Sequence, residues 1–269
     1  MNQSEAVTPV SGTLALVGGG DYEQSEQVDR FLLELAGGPD TPVVFLPTSH
    51  SSRRIGEKFT EYYQSLGVRN VRVAPVYERK DAENEENALL LREAGLIFIG
   101  WGSENRLQQA VTNTPVLAAM EEAYRRGAVL AGTSAGARAS GEMVISAANG
   151  PVGLREGLEI RPGFNWVPGM VIEAHLSEWN RYGHLLLMGA LHPELTWIGI
   201  DERTSLVIYP DGDAEVVGSG NVFVARRSPS VLAIPPRPGK ALEARGLHLD
   251  VLSHGSRTTL DELRRPFEY

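Results

Sequence analysis

The stretch Ala128-Val129-Leu130-Ala131-Gly132-Thr133-Ser134-Ala135-Gly136-Ala137-Arg138-Ala139 passes from an apolar run through a glycine-flanked serine into a helix-forming run. It spells a strand, a sharp turn and a helix. A serine between glycines at such a junction sits on a tight elbow, with its hydroxyl exposed and the next backbone N–H aimed at a nearby oxyanion. The chemical reading is a nucleophilic serine; the plain alternative is a glycine-rich turn with a capping Ser. The 29 Gly in 269 residues exceed a usual share of ~7%, so chance matches are common and the elbow must be judged with its surroundings.

Those surroundings alternate strand and helix. Thr13 to Val17 reads as a buried strand ending in Gly18-Gly19-Gly20, and Val28, Phe31, Leu32 and Leu35 follow at helical spacing. Val43 to Leu46, Val71 to Val76, Leu96 to Ile99, Met170 to Ile172 and Thr196 to Ile200 are further apolar strands. Helices are expected around Ile55 to Leu66, over Asn84 to Ala94, from the capping pair Thr114-Pro115 to Arg126, and over Asn180 to Leu191. Short intervals of this kind predict an α/β chain with a mostly parallel sheet and helices on both faces, whose ligands collect beyond the carboxyl ends of the strands. Val152 to Pro168, rich in Gly and Pro, reads as a loop or hairpin insert. From about residue 204 the pattern becomes β-rich, with Asp211-Gly212 a hairpin turn and Pro235-Pro236-Arg237-Pro238 an interruption. The expectation is one domain over 1–269, with a loose leader to Ser11.

A formal charge of −9 and a pI near 5.3 argue against nucleic acid or an acidic membrane surface as partner, because phosphate binding needs a clustered basic footprint. The absence of Cys excludes disulfides, thiolate metal sites and a cysteine nucleophile. The polar, acidic start Met1-Asn2-Gln3-Ser4-Glu5 lacks a secretory signal pattern, and no apolar run approaches the ~20 residues of a membrane span, so a cytoplasmic enzyme is expected. Gly18-Gly19-Gly20 lacks the third glycine of a dinucleotide fingerprint, no phosphate-loop Gly-Lys-Ser/Thr exists, and no zincin spacing occurs. No cofactor or metal is implied.

A serine nucleophile needs a base, and the base needs a third group that holds its tautomer. His175 directly follows the strand Met170-Val171-Ile172, whereas His184 and His192 suit a helix and its exit, His248 and His254 the tail, and His50 a strand-end loop. Asp201 and Glu202 end the strand Trp197 to Ile200, and one of the two is the candidate to orient the base. The order Ser, His, acid differs from the Ser, acid, His order of the α/β-hydrolases.

With these residues placed, the chain resembles the cyanophycinase and aspartyl dipeptidase (peptidase E-like) family of serine peptidases, which have a class I glutamine amidotransferase-like fold. The resemblance rests on Leu16-Val17-Gly18-Gly19-Gly20, Phe98-Ile99-Gly100, Arg126 to Ala137, Val171-Ile172-Glu173-Ala174-His175 and Ile198-Gly199-Ile200-Asp201-Glu202. It implies a triad of Ser134, His175 and Glu202, and an oxyanion hole from Ala135 and the Gly100-Trp101-Gly102 turn. It implies substrate contacts at Ser103, Glu104, Asn105, Glu173, Trp179 and Arg181, with Arg181 on a substrate carboxylate, and suggests a homodimer.

The family's Gly-Gly-Asp/Asn-Gln run is Gly100-Trp101-Gly102-Ser103-Glu104-Asn105-Arg106 here, its Asp-Gln-His-Phe is Glu173-Ala174-His175-Leu176, and Trp179 and His184 stand where arginines would. The leading expectation is therefore a serine exopeptidase or dipeptidase acting on short peptides. The alternatives are a true cyanophycinase or a catalytically silent binding protein; an amidotransferase is excluded, having a Cys at its elbow. If Glu202 stabilises the imidazolium, the base should titrate near or above ~6.5.

Overall fold

The computed structural model describes residues 12–21, 24–146, 159–192, 194–227, 233–234 and 243–265. The first half of the chain holds β1 (Thr13–Val17), α1 (Glu26–Leu35), β2 (Val43–Leu46), α2 (Arg54–Ser65), β3 (Val71–Val73), α3 (Arg79–Ala82), α4 (Glu85–Arg92) and β4 (Leu96–Ile99), then α5 (Glu104–Val111), α6 (Pro115–Arg125), β5 (Val129–Thr133) and the short elbow helix α7 (Ala135–Ala139). The second holds β6 (Gly141–Ser146), β7 (Glu159–Pro162), β8 (Val167–Ala174), α8 (Tyr182–Leu191), β9 (Thr196–Ile200), β10 (Thr204–Ile208), β11 (Asp213–Gly218) and β12 (Val222–Arg227). It closes with β13 (Ala233–Ile234), β14 (Glu243–Ala244), β15 (Leu247–Leu252), β16 (Arg257–Thr259) and α9 (Leu260–Arg264).

The chain is α/β, but the expected single, mostly parallel sheet is corrected to two larger mixed sheets. An eight-stranded sheet runs β16-β11-β10-β1-β5-β4-β2-β3, parallel from β1 to β3 and antiparallel from β1 outward to β16. A six-stranded sheet runs β15-β12-β9-β8-β6-β7, with β6, β8 and β9 parallel and its other pairs antiparallel. Strand–helix alternation specifies parallel neighbours but carries no mark of which sheet a strand joins. The β-rich tail divides accordingly: β10, β11 and β16 extend the first sheet, β12 and β15 the second. The Asp211-Gly212 hairpin is present, with Ile208 opposite Ala214. Within 152–168, β7 pairs with β6 as a hairpin; residues 152–158, the leader to Ser11 and Pro235 to Pro238 lie outside the described residues.

Burial follows the pleat. On β1, Leu14 and Leu16 enter a core with Met170 and Ile172 of β8 and Ile198 and Ile200 of β9, so the facing sides of the two sheets share one interior. Ala15 and Val17 point the other way, towards Val28 and Leu32 of α1 and Phe59 and Tyr63 of α2. A third cluster on the outer face of the second sheet joins Val171, Trp197 and Leu185 of α8. Strands covered on both faces read as continuous apolar runs rather than alternating ones, which is why Leu96 to Ile99 is unbroken.

Helix α7 lies against β5, β1 and β8, and all five of its residues are buried. Only small side chains suit that place, and the run Ala-Gly-Ala-Arg-Ala supplies them with one exception, Arg138.

Candidate active site

Three loops meet at the carboxyl end of β1. The carbonyls of Val17, Gly18 and Gly19 accept hydrogen bonds from the backbone N–H groups of Ser134 (3.0 Å), His175 (2.9 Å) and Arg203 (2.8 Å). The turns after β5, β8 and β9 are thereby tied to three successive residues of one strap. Side chains are excluded from its two glycines: a Cβ on Gly18 would lie 2.1 Å from the Asp201 carbonyl, and one on Gly19 2.1 Å from Cε1 of His175.

The elbow holds Ser134 at φ 52° and ψ −106°, and His175 also has a positive φ, 53°. Such conformations cost roughly 1–3 kcal/mol each for a residue with a side chain, so their surroundings must enforce them. At the elbow the glycines do so by letting backbones touch. A Cβ on Gly132 would meet Gly136 C at 2.5 Å, and one on Gly136 would meet the Ile99 carbonyl at 2.8 Å.

Ser134, His175 and Glu202 come together. Ser134 Oγ is 2.8 Å from His175 Nε2, and His175 Nδ1 is 2.6 Å from Glu202 Oε1. With Nδ1–H donated to the carboxylate, Nε2 is left to accept the hydroxyl proton, which is the arrangement that activates a serine. The two acids at the end of β9 separate here. Asp201 accepts from Ser177 N (3.1 Å), Ser177 Oγ (2.5 Å) and Asn221 N (3.0 Å), so it ties neighbouring turns together while Glu202 meets the imidazole. Burial lowers the His175 pKa from its ordinary value and outweighs the hydrogen bond and charge of Glu202, while the Arg181 charge lowers it further. The expectation of a value near or above the ordinary one is thereby corrected to one below it.

Glu173, expected to touch substrate, is 1% exposed and sits at the centre of a buried charge cluster. Its Oε1 is 3.0 Å from Arg138 Nε and 2.6 Å from Arg181 Nη1, and its Oε2 is 2.8 Å from His184 Nδ1. Burial opposes its ionisation, but the Arg138 charge, the His184 hydrogen bond and the Arg181 charge together hold its pKa down to about 2. Arg138 also pairs with Glu104 and donates to the Ile145 carbonyl. Helix α7, the end of β8 and the start of α8 are therefore joined through one carboxylate. The roles of Arg138 and His184 were missed in the sequence; the only signal was a lone Arg in an Ala/Gly helix and a His where the family has arginine.

Other expected contacts fall in several places. Ser103 caps α5, accepting from Arg106 N at 3.3 Å, and Glu104 and Asn105 form its first turn, so this run is a helix start rather than an open loop. Arg181, expected to hold a substrate carboxylate, has its guanidinium on Glu173, with the Ala174 carbonyl 3.3 Å away and the Trp179 ring 4.5 Å beneath it. Trp179 stacks on the His175 imidazole at 4.2 Å and 6°, yet stays 57% exposed, leaving indole surface for a ligand. Ala135 opens α7 directly after Ser134, where a first-turn N–H has no intrahelical partner.

Gly102, at φ 138° with its Cα against the Ser49 carbonyl, and Trp101 face Ser134 across a cleft of about 1150 Å³. Gly19, Gly20, His175, Trp179 and Glu202 also line it, and its far wall carries Arg30, Lys58 and Tyr62 of α1 and α2. Among the described residues no group of His, Asp or Glu could hold a metal ion, and no helix is long and apolar enough to cross a membrane.

The charge cluster has a testable energetic signature. Because the folded Glu173 pKa is depressed, its stabilisation is complete above the ordinary value of 4.5 and is lost as pH falls from there towards 2. Glu173→Gln leaves buried guanidinium charge uncompensated and should cost about 3–5 kcal/mol at pH 7, a deficit that shrinks below pH 4.5. Urea denaturation of both proteins at pH 7 and pH 3 checks this; equal stability at pH 7 contradicts it.

Comparison with known proteins agrees with this architecture. The model for peptidase family S51 matches residues 14–216. A cyanophycinase of Trichormus variabilis is 27% identical over 252 residues, covering 92% of this chain and 85% of that protein. One of Synechococcus elongatus is 29% identical over 214 residues, covering 78% and 66%. Among solved structures, a peptidase from an acI-B1 actinobacterium superposes with a TM-score of 0.69 at 23% identity, covering 93% of this chain and 97% of that one. A putative peptidase E protein from Listeria monocytogenes gives 0.52 at 18% identity, over 74% and 94%. These two likenesses concern the fold, while the family model spans strands β1 to β11 and the elbow, histidine and carboxylate within them: the chain belongs to peptidase family S51.

Proposed function

We propose that the chain is a serine peptidase that hydrolyses short peptides near a terminus through Ser134, His175 and Glu202. The observation that carries this reading is the unbroken contact from Ser134 Oγ through His175 to Glu202, at 2.8 and 2.6 Å, on a strained elbow facing an open cleft. His175 Nε2 takes the Ser134 proton as Oγ bonds to the scissile carbonyl carbon, and the carbonyl oxygen becomes an oxyanion. The backbone N–H groups of Ala135 and of the Trp101–Gly102 turn are the donors assigned to that oxyanion; losing one such donor costs roughly 3 kcal/mol of transition-state stabilisation. The protonated His175 then delivers its proton to the leaving amine, and the acyl-enzyme breaks down as His175 draws a proton from water. Trp179, stacked on the imidazole, and Glu202 hold its plane through both transfers.

Short α-peptides are favoured over cyanophycin by the walls of the cleft. Trp101 and Trp179 replace a small residue and a cation of the cyanophycinase pattern, and the one aligned arginine, Arg181, is engaged by Glu173. A peptide-library digest read by mass spectrometry, run beside a cyanophycin digest, should give cleavage of short peptides and little release of β-Asp-Arg dipeptides. The second reading, a true cyanophycinase, is favoured by the relatives of that name at 27–29% identity, and efficient dipeptide release would select it.

Three outcomes follow from the triad. Ser134→Ala should lower kcat/KM by about 10⁴-fold or more while leaving the fold intact; a variant keeping most of its activity contradicts the serine mechanism. Since burial lowers the His175 pKa, the acid limb of kcat/KM should have its midpoint below the ordinary ~6.5, and a midpoint above that value contradicts the assignment. Gly19→Ala drives a methyl into the imidazole and should cost on the order of 100-fold in kcat/KM through misplacement of the base; unchanged kinetics would show that His175 does not need the strap.

A further inference from the structure

Beyond Trp101 lies a second, smaller cavity of about 280 Å³, lined by His50, Ser52, Arg54, Ile55, Lys58 and Trp101. Lys58 and Trp101 also line the main cleft, so the two cavities adjoin across these side chains. Among the described residues, every titratable group lining the smaller cavity is basic. This is unexpected in a chain of net charge −9, where Arg30, Arg69, Arg79, Arg92 and Arg126 each have a carboxylate partner.

Among the described residues Arg54 and Lys58 have no ion-pair partner, although Glu57 and Glu61 stand on the same helix. Their placement is also unfavourable to the helix. Arg54 opens α2 and Lys58 lies one turn on, so two like charges share a face near the end of the helix dipole that repels cations. Arg53, which precedes them, is turned away over the Tyr77 ring. His50 Nδ1 accepts from Ser52 N at 3.0 Å, and the His50 ring meets Trp101 edge-on at 6.1 Å. Ile55, 4% exposed, and the Trp101 indole supply an apolar wall beside the charges.

From this we propose that the cavity is a carboxylate-accepting specificity subsite, in which Arg54 and Lys58 hold a carboxylate of the peptide whose scissile bond lies at Ser134, while Ile55 and Trp101 hold its apolar part. This deepens the peptidase reading and rests on it. It also accounts for the anchoring role expected of Arg181, whose charge is engaged inside the protein by Glu173. The carboxylate is either the C-terminus of the peptide or an acidic side chain.

The test uses the full chain and three matched peptides: a neutral tripeptide with a free C-terminal carboxylate, its C-terminal amide, and the amide with one residue replaced by Glu. kcat/KM is measured on each, and calorimetry gives Kd for each on the Ser134→Ala protein. One carboxylate-bearing peptide should be preferred over the neutral amide by about tenfold, the scale of a charge-assisted contact, and which one it is identifies the source. Raising salt from low to about 0.3 M should reduce that preference several-fold in the unmutated chain, since the cations are exposed. The double variant Arg54→Gln, Lys58→Gln should bring the preference close to one, and Lys58→Arg should retain it.

No preference in the unmutated chain, or one that survives the double variant, overturns the subsite. Binding preference without cleavage of any of the three peptides supports the subsite and contradicts the peptidase reading. Cleavage without preference contradicts the subsite alone.

Discussion

Three consecutive carbonyls, those of Val17, Gly18 and Gly19, organise the chemistry of this chain. Each accepts one backbone N–H, from Ser134, His175 and Arg203 in turn, so the loops that carry Ser134, His175 and Glu202 are held side by side on three successive residues at the end of β1. Such a strap works only if its two glycines carry no side chain. Any side chain at Gly18 or Gly19 would strike the Asp201 backbone or the imidazole, and Gly19, with Gly20 after it, lines the cleft. The strained conformations at Ser134 and His175 are local costs that this framework, with the close backbone contacts at Gly132 and Gly136, maintains.

The second constraint is electrostatic. A carboxylate as buried as Glu173 is tolerable only with partners, and its partners come from three different elements: Arg138 from α7, Arg181 before α8, and His184 within α8. Their positions follow from the chemistry next door. Glu173 is two residues before His175, and Arg138 is four after Ser134, so the cluster locks the helix that follows Ser134 to the strand that leads into His175. Arg181 extends the same lock over Trp179, which in turn covers the imidazole. Burial of that imidazole lowers its pKa despite Glu202, keeping it neutral, and so able to accept a proton, further into acid.

Much of this was legible in the residues. The elbow, the strand ends carrying His175 and Asp201-Glu202, and the helix start at Thr114-Pro115 all announce themselves, because local backbone chemistry and apolar runs determine them. Thr114 accepts from Leu117 N as a capping residue should. What stayed hidden depends on contacts between distant segments. Nothing local to Met170 to Ile172 says that it joins a second sheet, and nothing local to Arg181 says that Glu173 will engage it. The Ser103-Glu104-Asn105 run, where the resemblance implies substrate contacts, is the capped start of α5, a helix whose apolar anchors are only Leu107, Ala110 and Val111. The choice between Asp201 and Glu202 needed the family pattern, since both end the same strand and only the turn geometry separates them.

The central claim is that Ser134 is an activated nucleophile, and the most direct measurement is covalent capture. The native protein is treated with a fluorophosphonate, and the adduct is located by peptide mapping and mass spectrometry. The relay of Ser134, His175 and Glu202 predicts a single stoichiometric adduct on Ser134, formed rapidly at pH 8 and abolished by His175→Ala. A folded protein that forms no adduct, or forms it on another residue, would contradict the account.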